Sequence, residues 1–115
     1  MSERWPPLRL DHRAIFSQRR EISDEYGGTR DEWVPQFTEW AEVKYLRGGE
    51  GVMQARLASR NPVVVTIRNS DRARRVTSEW QVELRSRSGV AKVYAVKEDP
   101  RPEGLDGFLS MLAEG

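Results

Sequence analysis

The chain has 115 residues, of which 32% are charged and 37% hydrophobic, with a formal net charge of +1 and no cysteine. This length predicts one domain, residues 1–115, with a single core. The near-neutral charge argues against a dedicated nucleic-acid binder, and the lack of cysteine excludes disulfides, thiolate metal sites and thiol catalysis. The first ten residues do not fit a signal peptide, so we expect synthesis in the cytoplasm and no membrane partner.

The first half of the chain predicts two strands joined by a loop. Residues 1–8 contain Trp5-Pro6-Pro7 and are expected to form an extended arm. Residues 8–20 predict a first strand, and residues 21–32, which include two adjacent glycines, predict a long hairpin loop. Residues 37–46 alternate apolar and polar side chains and predict a second strand.

The second half predicts a loop followed by a meander of short strands. Glycines interrupt regular structure at residues 48–51, and residues 52–59 can form one or two turns of helix. Further strands are predicted at residues 63–68, 74–77, 79–85 and 90–97, with a rigid loop at residues 99–104. Residues 108–112 form either a last strand or a short helix. We therefore expect an all-β, mainly antiparallel fold: a small β-barrel or sandwich of about six strands.

The sequence contains no residue set suited to catalysis, to a cofactor or to a metal ion. His12 is the only histidine, it lies in a predicted strand, and no serine nucleophile motif accompanies it. The glycines at residues 48–51 are not followed by the lysine and hydroxyl residue of a phosphate loop, and the acids lack a calcium-loop register. We therefore predict that the chain is not an enzyme and binds no cofactor or metal.

Charge is distributed in two blocks of opposite sign. Residues 21–50 carry eight acids and three bases, and residues 56–87 carry eight arginines and three acids, which gives about −5 and about +5. Two interpretations remain open: the blocks pair within one chain, or the acidic face of one subunit meets the basic face of the next in a ring. The interface candidates are Asp24, Glu25, Glu39, Glu42, Arg72, Arg74 and Arg75.

The basic block also supports an alternative function, a small β-barrel that binds single-stranded nucleic acid. Such proteins combine a basic groove with aromatic side chains on which bases stack, and Trp80 lies among the arginines. However, Trp80 alternates with Val82 and Leu84, which is the pattern of a core residue.

Several segments together resemble the head-closure family of tailed bacteriophages, whose members are also called head-tail joining or stopper proteins. The most specific are Asp24-Glu25-Tyr26-Gly27-Gly28 and Trp40-Ala41-Glu42-Val43. Leu10-Asp11-His12-Arg13, Gln18-Arg19, Thr66-Ile67-Arg68 and the strand containing Tyr94 continue the match. The residues expected to be structural are Tyr26, Gly27, Gly28, Trp33, Trp40 and Trp80.

This resemblance implies a connector subunit in the neck of a virion or virus-like particle. Such proteins form a ring, a hexamer by resemblance, with the portal and an adaptor protein above and a tail terminator or tail tube protein below. Double-stranded DNA passes through the lumen, and a long loop after the second strand helps to retain it. The family serves both phages and gene transfer agents, and the sequence does not separate the two. The residues assigned to the channel loop are Arg47, Gly48, Gly49, Glu50, Gly51, Met53, Arg56 and Arg60.

Overall fold

The structure, a computed structural model, describes residues 9–46, 49–57, 60–102 and 107–115. These residues form seven antiparallel strands, one short helix and a single 3₁₀ turn, an all-β fold as predicted. The elements are β1 (His12–Ser23), β2 (Thr29–Tyr45), α1 (Glu50–Leu57), β3 (Pro62–Arg68), the 3₁₀ turn (Ala73–Arg75), β4 (Gln81–Arg85), β5 (Ala91–Val96), β6 (Arg101–Pro102) and β7 (Phe108–Glu114).

The strands form one sheet that closes on itself. Their order is β3-β2-β1-β4-β5-β7-β6. β3, the first strand in this order, also pairs with β7, the last but one, and this pairing closes the sheet. The pairing of β3 with β7 runs from Pro62 opposite Glu114 to Arg68 opposite Phe108. A buried hydrogen bond of 2.9 Å between the Thr66 and Ser110 hydroxyls lies in this seam and satisfies both polar groups.

The core lies inside the closed sheet and is made largely by alternate residues of the strands other than β6. Phe16 and Ile67 are fully buried, and the Phe16 and Phe37 rings stack with their centroids 4.9 Å apart. Trp80 lies 6.3 Å from Phe37, and Val82 and Leu84 also point inward. Their predicted inward orientation is therefore confirmed, since alternate residues of a strand face the same side.

The predicted hairpin loop over residues 21–32 is wrong. β1 continues to Ser23 and β2 begins at Thr29, so the turn occupies only residues 24–28, and the strands pair from Ser23 opposite Thr29 onward. The error has a physical reason: half of these twelve residues are charged, and the segment forms no continuous apolar face on pairing. Alternation of apolar and polar residues in a sequence indicates which side chains are buried. Two strands can form backbone hydrogen bonds with each other without burying their side chains.

Residues 74–77, predicted to be a strand, are not one. The chain instead makes a 3₁₀ turn whose first amide, that of Ala73, donates a hydrogen bond to the Ser70 hydroxyl at 3.1 Å. The Arg74 amide donates to the Ser70 carbonyl at 3.0 Å, so a local serine-based turn replaces strand pairing. Elsewhere, residues 108–114 are a strand rather than a helix, β6 lies in the predicted rigid loop, and a helix occurs after β2 as predicted.

Candidate assembly surfaces

The hairpin formed by β1 and β2 extends well beyond the closed sheet. β4 pairs only with residues 13–17 of β1, and β3 pairs only with residues 41–45 of β2. Within the part of the chain that the structure describes, residues 18–23 and 29–34 pair only with each other, which makes a two-stranded ribbon about 20 Å long. We call residues 18–34 the hairpin arm; every one of them is at least partly exposed.

A bulge marks the place where the hairpin arm leaves the sheet. The register of β1 with β2 shifts between Phe16, which pairs with Phe37, and Ser17, which pairs with Pro35. Such a bulge bends a strand and increases its local twist. Proline at this edge position has no amide to donate, so Pro35 also reduces the pairing capacity of the free β2 edge.

The turn at the end of the arm is held by Asp24. One carboxylate oxygen of Asp24 accepts hydrogen bonds from the amides of Tyr26 at 2.8 Å and Gly28 at 2.9 Å. Gly27 has a φ of +80°, and a Cβ on Gly28 would lie 2.8 Å from the other Asp24 oxygen. The Asp-Glu-Tyr-Gly-Gly segment is therefore a compact hairpin turn. Gly27 is needed for its positive φ, and Gly28 is needed because a side chain there would collide with the Asp24 carboxylate.

The aromatic residues predicted to be structural differ widely in their environment. Trp80 is buried, but Trp33 is 43% exposed and Trp40 is 47% exposed, with the Arg13 guanidinium 4.8 Å from the Trp40 ring. Tyr26 is 94% exposed at the tip of the arm. Tyr26 contributes its backbone amide to the turn while its ring projects into solvent, and its structural role stays a prediction.

A polar hollow of about 740 Å³ lies at the base of the arm. The arm forms one wall, and the segment between the 3₁₀ turn and β4 forms the other. We call it the base hollow. Its lining residues are Gln18, Arg19, Asp31, Trp33, Arg75, Thr77, Glu79 and Trp80.

Part of the charge-block prediction is met inside one chain. Arg72 contacts the Glu39 carboxylate at 2.6 Å, and its guanidinium lies 5.2 Å from the Phe37 ring. Arg74 pairs with Asp71 and donates to the Asn69 side chain. The Arg72 contact joins the two blocks within one chain, as in the first of the two open interpretations, whereas the Arg74 contact lies within the basic block.

The remaining interface candidates lie in different places. Glu42 is buried, accepts a hydrogen bond from the Arg9 amide at 3.1 Å and lies 4.0 Å from the Lys44 ammonium. Glu25 is exposed at the arm tip, and Arg75 is exposed in the wall of the base hollow. Their role as interface residues stays a prediction.

The predicted channel loop lies at the other end of β2 from the arm tip. β2 has 17 residues, which span about 55 Å, close to the longest dimension of the molecule, 59 Å. Gly49 has a φ of +79° and its carbonyl accepts a hydrogen bond from the Met53 amide at 3.1 Å, at the start of α1.

The side chains assigned to the channel loop are mostly exposed where they are described. Glu50 is exposed in the first turn of α1, Gly51 follows it, and Met53 is 55% exposed. Arg60 lies 3.3 Å from the Glu114 carboxylate of β7, and its side chain is half-exposed. Arg47, Gly48 and the Arg56 side chain lie outside the described residues.

The geometry argues against the nucleic-acid alternative. Trp80 is only 7% exposed, so it offers no face on which a base could stack, and Arg72 and Arg74 already have acidic partners. His12 makes a local contact of 2.8 Å with Asp11. Within the described ranges, no three acids or histidines gather in a way that could hold a metal ion, and no helix is long and apolar enough to cross a membrane.

The architecture is thus a closed antiparallel sheet with a projecting ribbon at one end of β2 and a helix-bearing loop at the other. The phage head completion protein family matches residues 6–114, so the chain belongs to that family. This confirms the predicted resemblance to head-closure proteins. Membership gives the chain a structural role in phage-type particles.

Solved structures share the fold. The solution structure of SF1141 from Shigella flexneri 2a has a TM-score of 0.66 and 17% identity, over 96% of this chain and 95% of that one. A chain in the virion of a native gene transfer agent particle has a TM-score of 0.52 and 22% identity, over 89% of this chain and 90% of that one. No match to this chain occurs among curated proteins.

Proposed function

We propose that the chain is a head-tail connector, or stopper, subunit that forms a ring below the portal and its adaptor. The ring helps to retain packaged double-stranded DNA and provides the surface on which the tail terminator or tail tube docks. The observation that carries this proposal is membership of the phage head completion protein family over residues 6–114. The fold shared with a chain of a gene transfer agent virion supports a place in the particle.

The shape of the subunit supports different roles for the two ends of β2. The arm tip and the loop containing α1 lie at opposite ends of this long strand, so one end can contact neighbours while the other faces the lumen. The loop begins and ends at adjacent positions of the sheet, because Tyr45 pairs with Val63 and the Leu46 amide donates to the Pro62 carbonyl at 3.2 Å. The proposed channel loop is residues 47–60.

Deletion of residues 49–58 tests this proposal. Residues 46–48 and 59–61 remain to connect β2 to β3, so the closed sheet should be retained, and the Arg60 contact with Glu114 lies outside the deletion. We expect the variant chain to enter particles that then lose packaged DNA. The measurement is the amount of nuclease-protected DNA per purified particle.

The matched control is Val93→Ala, which changes an exposed side chain on β5, far from the loop in sequence. It should leave DNA retention unchanged, and thermal unfolding of both purified variants should show a cooperative transition. Particles that contain the deleted chain and keep both their DNA and their infectivity or gene-transfer activity would contradict the gating role.

A further inference from the structure

The tip of the hairpin arm has the features of a docking element. Tyr26 is 94% exposed, yet its backbone is fixed by the Asp24 hydrogen bonds and by the positive φ of Gly27. A tyrosine held in this way can bury a large ring with little loss of conformational entropy, which is why tyrosine is frequent in binding hot spots. Glu25 lies beside it and is also exposed.

The base hollow has complementary features. Trp33, 43% exposed, provides an aromatic surface, and the edge of the buried Trp80 contributes to the lining. Arg75 lies in the wall of the base hollow. Among residues 9–46, 49–57, 60–102 and 107–115, neither Arg75 nor Glu25 forms an ion pair, in contrast to Arg72 and Arg74.

The tip cannot enter the hollow of its own chain. The arm is a continuous antiparallel ladder from Ser17 opposite Pro35 to Ser23 opposite Thr29, and the side of this ladder from Gln18 to Asp31 lines the hollow. The extended ladder therefore directs the tip away from the hollow: Thr29, next to the turn, lies four residues, or about 13 Å, along the strand from Trp33. An occupant with the chemistry of the tip must come from another molecule.

We propose that the arm tip of one copy docks into the base hollow of the next copy, with Tyr26 against Trp33 and Glu25 opposite Arg75. The inference rests on the proposed function, because it names the contact that joins neighbouring subunits of the ring. The two surfaces lie at different places on the chain, so the contact is head-to-tail, and repetition of such a contact builds a ring when the rotation closes. The tip alone is smaller than a standard interface, so the contact is weak in the free chain.

Site-specific cross-linking tests the contact. The chain has no cysteine, so Tyr26→Cys combined with Glu79→Cys in the hollow gives a single defined disulfide pair. In particles that contain this variant, mild oxidation should produce a ladder of covalent oligomers on a non-reducing gel. The control pairs Tyr26→Cys with Glu50→Cys, at the start of α1, and should give no ladder.

A charge exchange tests the pairing of Glu25 with Arg75. Glu25→Arg and Arg75→Glu should each reduce incorporation into particles, by roughly tenfold, and the double variant should restore most of it, because the attraction returns with its sign exchanged. Arg72→Glu is the contrasting variant: it faces Glu39 in its own chain, so Glu25→Arg should not rescue it.

The outcomes separate this inference from the proposed function. Particles that contain the double-cysteine chain but form no ladder overturn the docking contact and leave the connector role standing. Equal incorporation of Glu25→Arg, Arg75→Glu and the unsubstituted chain also overturns it. Absence of the unsubstituted chain from purified particles overturns the proposed function itself.

Discussion

The closed sheet and the hairpin arm share the strands β1 and β2 but differ in how these strands are held in place. In the closed sheet, β1 lies between β2 and β4, and Ala14 and Phe16 are completely buried. In the arm, the same strand has a partner on one edge only among the described residues, and every arm residue is at least partly exposed. The backbone ladder continues across this boundary although the core ends there.

This difference shows that strand pairing and core formation are separate requirements. The closed sheet gains from apolar burial, whereas the arm depends on its turn and on contacts such as that of Arg19 with Asp31, at 2.8 Å. Their side chains are 62% and 50% exposed, and exposed pairs of this kind contribute about 0–1 kcal/mol. The arm is therefore expected to open locally more readily than the sheet.

The largest expected effect comes from removing a ring at the centre of the sheet. Phe16→Ala deletes a fully buried ring that stacks on Phe37, and such truncations cost about 3–5 kcal/mol through lost burial and the cavity left behind. Ile22→Ala is the matched change on the arm portion of the same strand, where the side chain is half-buried. We expect it to cost about 1 kcal/mol or less in the free energy of unfolding.

Urea unfolding of the two variants beside the unsubstituted chain gives both values. The comparison between sheet and arm fails if Ile22→Ala destabilises the chain as much as Phe16→Ala does. It also fails if Phe16→Ala leaves the midpoint of the urea transition unchanged.

Much of the sheet could be predicted because burial leaves a pattern in the sequence. Trp80, Val82 and Leu84 alternate with polar residues and lie in the core. The arm could not be found in this way, since most of its residues are polar and neither face carries a continuous apolar row. A different signal was available: Arg20 and Glu32 are equally far from Tyr26 and face each other in the ladder. Opposite charges placed symmetrically about a turn favour a hairpin.

The candidate site was less predictable, because it depends on residues far apart in sequence. Glu39 and Arg72 are 33 positions apart, and only the fold brings them to 2.6 Å. Spacing cannot distinguish such an internal pair from a contact between subunits. The same applies to Arg75, which joins Trp33 and Asp31 in the base hollow because the 3₁₀ turn and the arm meet there.

The two glycines of the arm turn give a smaller effect and separate two physical causes. Gly27→Ala places a side chain at a φ of +80° and should cost about 1–2 kcal/mol of backbone strain. Gly28→Ala instead forces the Asp24 carboxylate away from the amides it binds, at about 1 kcal/mol for each lost hydrogen bond. Hydrogen exchange of the arm amides measures both as local opening.

Asp24→Ala provides the control for this pair of glycines. In the Asp24→Ala background, Gly28→Ala should no longer destabilise the arm, because the carboxylate that a side chain at residue 28 would collide with is absent. The destabilisation by Gly27→Ala should persist. Gly27→Asn should be milder than Gly27→Ala, since asparagine tolerates the left-handed region. An unchanged cost of Gly28→Ala in that background would show that the clash with Asp24 is not its cause.

The smallest expected effect belongs to Tyr94, in the closed sheet, and it concerns pH. Burial of the ring raises the pKa of Tyr94 above its usual value of 10.0, and the charge and hydrogen bond of the neighbouring Tyr45 raise that pKa further. The folded chain thus holds the phenol proton more tightly than the unfolded chain does. The resulting stability is fully present below the unfolded pKa and is lost as pH rises through the folded pKa.

Tyr94→Phe separates this contribution from the general effect of alkaline solution. Without an ionisable phenol, the variant should lose less stability than the unsubstituted chain between about pH 7 and about pH 11, measured as the shift of the urea midpoint. At pH 7 the variant should be slightly less stable, because the hydrogen bond with Tyr45 is missing. If the urea midpoints of the two proteins fall by the same amount at alkaline pH, ionisation of the Tyr94 phenol is not the cause of the loss of stability, and another residue is responsible.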